Sequence, residues 1–204
     1  MTSGFFSFRP VLAALTLAAW SAAASAADVH RLTPANPQPD AGALKPGAHV
    51  EYVYREAKSL HEAKSWLGYG DLKKPGKPLQ GFTYEDTKLG ENVLTSDADE
   101  LVIASINGYL NFPAPGTYKL TFWSNDGLRV SIGGVEVYEH DGRHPCETLD
   151  PAAVEVPEAG WYAVEALFFQ RLNTACLVME WQKPGESGDT WTVVPAEAYA
   201  HKPK

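Results

Sequence analysis

The residues best placed to do chemistry form a polar turn at positions 125–127, Asn-Asp-Gly, which carries the carboxylate of Asp126 at its tip. Large apolar residues recur at every second position before the turn (118–122) and after it (128–132). Alternation on both sides of an Asp-Gly pair predicts a β-hairpin. Such a turn, held by two core strands, can present a ligand-binding group rigidly. It is also a common structural turn, in which Asn and Asp bond their own backbone.

The densest group of potential metal ligands spans residues 140–146, His-Asp-Gly-Arg-His-Pro-Cys. His140 and His144 are four residues apart and would share one face of a helix. Gly142 and Pro145 disfavour a helix there. The sequence therefore favours a solvated loop over a transition-metal site.

Three acidic residues, Asp97, Asp99 and Glu100, precede an apolar stretch. Glycosidase chemistry would need two facing carboxyl groups with one of them buried, whereas neighbouring acids on a polar segment usually face water. The chain contains no Gly-x-Ser-x-Gly, P-loop or His-Glu-x-x-His motif. The pattern favours a protein that is not an enzyme, with glycan processing as a remaining alternative.

Among the tryptophans, Trp123 is the best candidate to stack on a sugar ring, because it lies two residues before the polar turn. The alternative is that it packs onto a second layer of the fold. Trp181 lies on an apolar strand face and is predicted to be part of the core.

The first 26 residues have the pattern of a secretory signal peptide. Arg9 supplies a positive flank, residues 11–20 are nearly all apolar, and residues 24–26 fit a cleavage site. No other stretch approaches the length of a membrane helix. The chain is therefore predicted to be exported, as a periplasmic or secreted protein.

The formal net charge is −8. An acidic chain without a basic stripe argues against binding to nucleic acid or to an anionic membrane surface. The two cysteines, Cys146 and Cys176, both follow the leader. In an oxidising compartment such a pair is more often a disulfide than two free thiols or a functional thiol.

The rest of the chain is strand-rich. Residues 27–44 are a proline-rich, extended lead-in, residues 50–55 a first strand, and residues 56–67 a short helix that ends near Gly68. From Leu101 onward, short alternating strands are separated by Gly/Pro turns, without βαβ alternation. This pattern predicts an all-β protein, a sandwich or barrel with at most one short helix.

Seven segments in this order resemble the PA14 domain, a module named after a toxin's protective antigen. They are PGAHVEY (46–52), NGYLNF (107–112), PGTYKLTF (115–122), SNDGLRVSIGG (124–134), AGWYAVEA (159–166), CLVMEWQKPG (176–185) and VVPAE (193–197). The resemblance covers residues 45–199 and leaves 200–204 as a tail. It implies an antiparallel β-sandwich or barrel that acts by recognition.

In fungal adhesins of this family, two adjacent aspartates joined by a cis peptide bond bind calcium, which coordinates sugar hydroxyls. The matching residues here are Asn125 and Asp126, so one carboxylate is replaced by a neutral amide oxygen, a ligand that calcium accepts. The asparagine that completes the family's site corresponds to Asn173. The resemblance thus implies Asn125 and Asp126 as metal ligands, with Asn173 and Trp123 as ligand contacts.

Together these features predict an exported, non-catalytic recognition domain that binds carbohydrate with calcium as cofactor. The alternative is a structural or protein-interaction domain of the cell envelope, which uses the same sandwich with no small ligand.

Overall fold

The computed structural model describes residue 1 and residues 29–203. The predicted signal peptide (1–26) lies outside the described residues, apart from Met1. No helix among the described residues is long and apolar enough to cross a membrane.

The described part of the chain contains one α-helix, α1 (Leu60–Leu67), and fourteen strands: β1 (Val29–Arg31), β2 (Lys45–Pro46), β3 (His49–Tyr54), β4 (Lys74–Pro75), β5 (Thr83–Tyr84), β6 (Val102–Phe112), β7 (Gly116–Asn125), β8 (Leu128–Ile132), β9 (Val135–His140), β10 (Ala152–Val156), β11 (Gly160–Gln170), β12 (Cys176–Gln182), β13 (Thr192–Val193) and β14 (Tyr199–His201).

The strands form two sheets that pack face to face. The smaller sheet has the order β1-β10-β7-β12-β13, with β5 also paired to β12. The larger sheet has the order β2-β14-β6-β11-β8-β9, with β3 paired to β6 and β4 paired to β3. All pairs are antiparallel except β1 with β10. The prediction of an all-β antiparallel sandwich with one short helix is confirmed.

The core lies between the sheets and is made by the alternating apolar positions read from the sequence. Tyr118, Leu120 and Phe122 of β7 and Leu128, Val130 and Ile132 of β8 are all fully buried. The Phe112 ring lies 4.9 Å from that of Tyr118 and 5.2 Å from that of Tyr162, both edge to face. Trp181 is buried here too, as predicted.

The helix packs on the outer face of the larger sheet. Ser59 caps its first turn by accepting a hydrogen bond from the Glu62 amide (3.2 Å). Leu60 and Ala63 are buried in a second cluster with Phe169 of β11. The Leu60 amide also donates to Asp141 Oδ1 (2.7 Å), which ties the helix to the loop after β9.

Segments near both ends of the described range 29–203 belong to the sheets. The lead-in contains β1, which runs parallel to β10, followed by the buried Leu32. At the other end, β14 pairs with β6 and β2 and includes Ala200 and His201. The sandwich therefore extends into segments that the sequence suggested were lead-in and tail.

Buried tyrosines should make the protein sensitive to alkali. Burial raises the pKa of Tyr52 from 10.0 to about 12, and burial also raises the pKa values of Tyr118 and Tyr162. Between pH 10 and 12 the unfolded chain loses protons that the folded chain keeps, so the free energy of unfolding falls as pH rises through this range. For Tyr52 alone we expect a loss of about 2 kcal/mol.

Denaturant unfolding at increasing pH, alongside tyrosinate absorbance, measures this effect. Tyr52→Phe should flatten the pH dependence. A folded protein whose tyrosines all titrate near pH 10 would contradict the expectation.

Candidate functional site

The turn at 125–127 connects the two sheets and does not close a hairpin. Strand β7 before it pairs with β10 and β12 of the smaller sheet, while β8 after it pairs with β9 and β11 of the larger one. The predicted hairpin is therefore wrong. Strands in opposite sheets bury their alternate residues in the same core. The sequence alternation is therefore the same whether β7 and β8 form a hairpin or lie in different sheets. The true hairpin is β8–β9, where Gly133 and Gly134 both have positive φ.

Asp126 is buried at the end of this connection, with 2% of its surface exposed. Its Oδ2 accepts a hydrogen bond from the Arg171 amide (2.8 Å), and its Oδ1 accepts one from the His144 amide (3.2 Å). Its own amide donates to the Phe169 carbonyl (3.1 Å). The carboxylate is thus held by backbone donors from two distant loops and does not bond back to its own turn.

Burial is the main influence on this carboxyl group and raises the pKa of Asp126 above its ordinary value. The hydrogen bonds from Arg171 and His144 oppose the rise, as do the charges of His144 and Arg143. Among the described residues no lysine, arginine or histidine side chain forms an ion pair with Asp126. The site therefore holds a negative charge that the protein itself compensates only in part.

Asn125 lies beside this carboxylate and is 7% exposed. Its Nδ2 donates to Thr174 Oγ1 (3.0 Å), which leaves the side-chain carbonyl oxygen available for a ligand. The peptide bond between Asn125 and Asp126 is cis. Two oxygen-bearing side chains are thus adjacent at this point.

Asn173 belongs to the loop between β11 and β12 and is exposed. Its backbone is left-handed, with φ of 72°, a conformation that asparagine tolerates better than most residues. The Asn173 amide donates to Glu100 Oε1 (2.8 Å). Glu100, weighed above as a catalytic acid, therefore supports this loop.

A cleft of about 360 Å³ brings Asn125, Asp126 and Asn173 together. Its remaining lining comes from two loop segments, Arg143-His144-Pro145 and Leu172 with Thr174. These five residues were not among the predicted contacts. Leu172 could have been found from the sequence, because it is a large apolar residue within a polar loop. In the structure it is 38% exposed.

Trp123 does not line this cleft. It is 36% exposed on the outer face of the smaller sheet, where its indole Nε1 donates to Glu180 Oε2 (3.0 Å). The exposed apolar side chains in the cleft are Pro145 and Leu172. A sugar contact by Trp123 stays a prediction.

The disulfide between Cys146 and Cys176 is present, as predicted, with Cα atoms 5.8 Å apart. Cys176 begins β12 and pairs in register with Asn125. Cys146 follows directly on the segment 143–145, which forms one wall of the cleft. The bond therefore ties that wall to the strand beside the cleft floor.

The loop that carries this wall differs from the solvated loop expected from its sequence. The rings of His140 and His144 stack in parallel, with centroids 3.6 Å apart and 5° between planes. Burial, and next the proximity of His144, lower the pKa of His140. The two histidines meet without a helix, in a loop that bends at Gly142, where φ is 89°.

A glycine is needed where the connection crosses β11. A Cβ on Gly127 would lie 2.3 Å from Cε1 of the buried Phe169 ring. We expect Gly127→Ala to lower the free energy of unfolding by about 1–3 kcal/mol, because the ring or the turn must move. Chemical denaturation measures the change.

Gly70→Ala is the matched control, since nothing lies within 4 Å of its added Cβ. It should change stability by less than about 0.5 kcal/mol. Equal losses in the two variants would contradict the packing argument.

The fold and the cleft define a class of protein: a two-sheet antiparallel sandwich with a polar cleft formed by loops. The model of the PA14 domain family matches residues 86–192. The chain belongs to this family. No curated protein matches its sequence.

Solved PA14 structures have the same fold. The PA14 domain of the MpAFP antifreeze protein superimposes with a TM-score of 0.63 at 17% identity, over 80% of this chain and 93% of that one. The PA14 sugar-binding domain of an RTX adhesin gives 0.59 at 19% identity, over 76% and 98%. The epithelial adhesin 9 A domain of Candida glabrata, in complex with Galβ1-4GlcNAc, gives 0.63 at 13% identity, over 86% and 97%.

Proposed function

We propose that this protein is a non-catalytic carbohydrate-recognition domain whose cleft binds sugar through a calcium ion. One observation carries the proposal: the Asp126 carboxylate is buried at a cleft shared with Asn125 and Asn173 and is oriented by backbone amides from two other loops. A carboxylate used only to form a turn would accept bonds from its own turn.

The residues present fit a calcium ion. Calcium takes carboxylate, amide and backbone carbonyl oxygens, and Asn125 and Asp126 offer the first two side by side. Each Asp126 oxygen accepts one backbone hydrogen bond and retains a second lone-pair site. The partly compensated charge of Asp126 favours a cation, while replacement of a second aspartate by Asn125 lowers the expected affinity. When bound, calcium supplies open coordination positions for sugar hydroxyls.

The protein's own side chains supply the rest of the recognition. Asn173 is exposed at the cleft and can bond to a hydroxyl through its amide group. Leu172 offers an apolar surface for the C–H face of a sugar ring. Arg143 adds hydrogen-bond donors to the cleft lining. These groups are suited to binding, and no facing pair of carboxyl groups is among them.

The PA14 neighbours support sugar as the ligand class, because one is described as a sugar-binding domain and others are solved with galactose-containing disaccharides. Export through the predicted signal peptide, to the periplasm or the cell exterior, is part of the same proposal. A disulfide beside the cleft suits an oxidising compartment.

Isothermal titration of the mature chain with CaCl₂, followed by glycan-panel binding with calcium and with EDTA, tests the proposal. We expect calcium binding at one site and glycan signals that EDTA removes. Glycan signals that persist in EDTA would overturn the calcium requirement. No signal under either condition would favour the alternative, a protein-interaction domain of the cell envelope.

A further inference from the structure

Two histidines outside the set of proposed calcium ligands stack their rings on each other. His140 ends β9, and His144 lies in the loop that follows it. Their stacked side chains are only 16% and 6% exposed. Stacked rings can be a packing contact alone, so the hydrogen bonds of their four nitrogens decide whether a ligand is implied.

The hydrogen bonds around His144 leave one ring nitrogen free. His144 Nδ1 lies 2.9 Å from the Pro145 carbonyl oxygen. A carbonyl can only accept, so Nδ1 carries the hydrogen, and in the neutral ring Nε2 carries the lone pair. His144 Nε2 and His140 Nδ1 are both buried and have no hydrogen-bond partner within residues 29–203. Buried polar atoms without partners are rare and call for an explanation.

Glu147 adds a carboxylate to the pair. Its Oε1 lies 3.8 Å from His140 Nε2 and 3.9 Å from His144 Nδ1, and its side chain is 47% exposed. One ligand atom from each of the three residues lies within 4.8 Å of the others. Ligand atoms on a tetrahedral zinc ion are about 3.3 Å apart. Glu147 lies beside the other nitrogen of each ring, so its half-exposed side chain must rotate toward His140 Nδ1 and His144 Nε2 for the three residues to hold one ion.

The backbone that carries these three residues is fixed on several sides. Cys146, between His144 and Glu147, is bonded to Cys176 of β12. Glu147 forms two backbone hydrogen bonds with Ser124 of β7, at 3.2 and 3.3 Å. A carbonyl that holds a ligating histidine through its other nitrogen, as Pro145 holds His144, is typical of protein metal sites.

We propose that His140, His144 and Glu147 form a binding site for a divalent transition metal, with Zn²⁺ as the ion that suits them. Two imidazoles and a carboxylate are a three-ligand set that zinc accepts, with water in the fourth position. The nitrogen-rich set selects against calcium, which takes oxygen ligands. The site is therefore separate from the proposed calcium site, although the His144 amide contacts Asp126.

Titration of the untagged, metal-stripped mature chain with ZnCl₂ tests this proposal, with Co²⁺ absorption as a second readout of tetrahedral nitrogen and oxygen coordination. We expect one zinc per chain. His140→Ala and His144→Ala should each lower the association constant at least about tenfold, the smallest loss seen when only a supporting group of a metal site is removed. Glu147→Gln should weaken binding without disturbing the fold.

The control is His61→Ala, which removes an exposed histidine from α1 and should leave zinc affinity unchanged. Zinc and calcium are titrated separately into the parent, so this proposal can survive failure of the calcium proposal. Absence of zinc binding by the parent would overturn it. So would equal affinities of the parent and both histidine variants, or an equal loss in His61→Ala.

Discussion

Asp126→Ala is expected to abolish calcium binding and calcium-dependent glycan binding. Asp126 supplies the only carboxylate at the cleft among the described lining residues, and a neutral amide oxygen alone attracts a divalent cation weakly. Isothermal titration should show no calcium heat from the variant under conditions in which the parent binds.

The same substitution is expected to reduce stability in the absence of calcium. It leaves the amides of His144 and Arg171 without their acceptor, and a buried donor without an acceptor costs about 1–3 kcal/mol. Removal of a carboxylate whose charge is disfavoured by burial offsets part of this cost. We expect a net loss of about 1–3 kcal/mol in the free energy of unfolding, measured in EDTA.

Asp99→Ala is the matched control, because it removes the same charge from an exposed position. It should bind calcium like the parent and keep the parent's stability. If Asp126→Ala bound calcium as tightly as the parent, the calcium site would have to lie elsewhere. If both variants lost calcium binding equally, the net charge of the region would explain the effect and Asp126 would not be a ligand.

Removal of the disulfide is expected to have the largest effect on stability. Cys146 and Cys176 close a loop of 30 residues, and the chain-entropy model assigns about 3–4 kcal/mol to a loop of that length. For a domain of this size that corresponds to a fall in melting temperature on the order of 10 °C. The double variant Cys146→Ala/Cys176→Ala, followed by thermal unfolding, measures the change.

Ligand binding should suffer beyond this loss of stability. The bond ties the segment 143–145 to β12, and that segment supplies both a cleft wall and the His144 amide that orients Asp126. We therefore expect weaker calcium binding at temperatures where the variant is fully folded. Reduction of the parent with dithiothreitol should reproduce the result, and the double variant should not respond to dithiothreitol. Equal melting temperatures for oxidised and reduced parent would contradict the prediction.

Much of the fold could be predicted because local pattern and burial agree. Alternating residues placed β3, β7, β8 and β11 within a residue or two of their observed bounds. Ser59 and Gly68 flank a helix whose buried positions, Leu60 and Ala63, are three apart, as an amphipathic helix requires.

The connectivity of the polar turn was beyond local reasoning. A strand that leaves a turn can pair with the strand before it or cross to the facing sheet, and both arrangements bury the same alternate residues. The choice depends on what the neighbouring strands offer. Here β10 and β12 occupy the two edges of β7, and β8 pairs with β11 and β9 in the other sheet.

In the candidate site, too, the residue types could be predicted from the sequence but their contacts could not. The residue types that could bind a ligand at 125–126 and 173 are visible in the sequence, and so is the pair of cysteines. That Asp126 is oriented by the amides of His144 and Arg171 is visible only in the folded chain, because backbone amides leave no trace in residue identity. The stacking of His140 on His144 was not foreseen either, because residues four apart were expected to meet only on a helix and these two meet in a loop.

By itself, therefore, the sequence of this PA14 domain determined the all-β class, the core positions, the short helix and the cysteine pair, since each follows from local periodicity or composition. Only the tertiary structure decided that the turn at 125–127 joins two sheets, that the loops at 143–145 and 172–174 meet it in one cleft, and that Trp123 lies outside that cleft. These are contacts between residues far apart in the chain, and they depend on which strands pair.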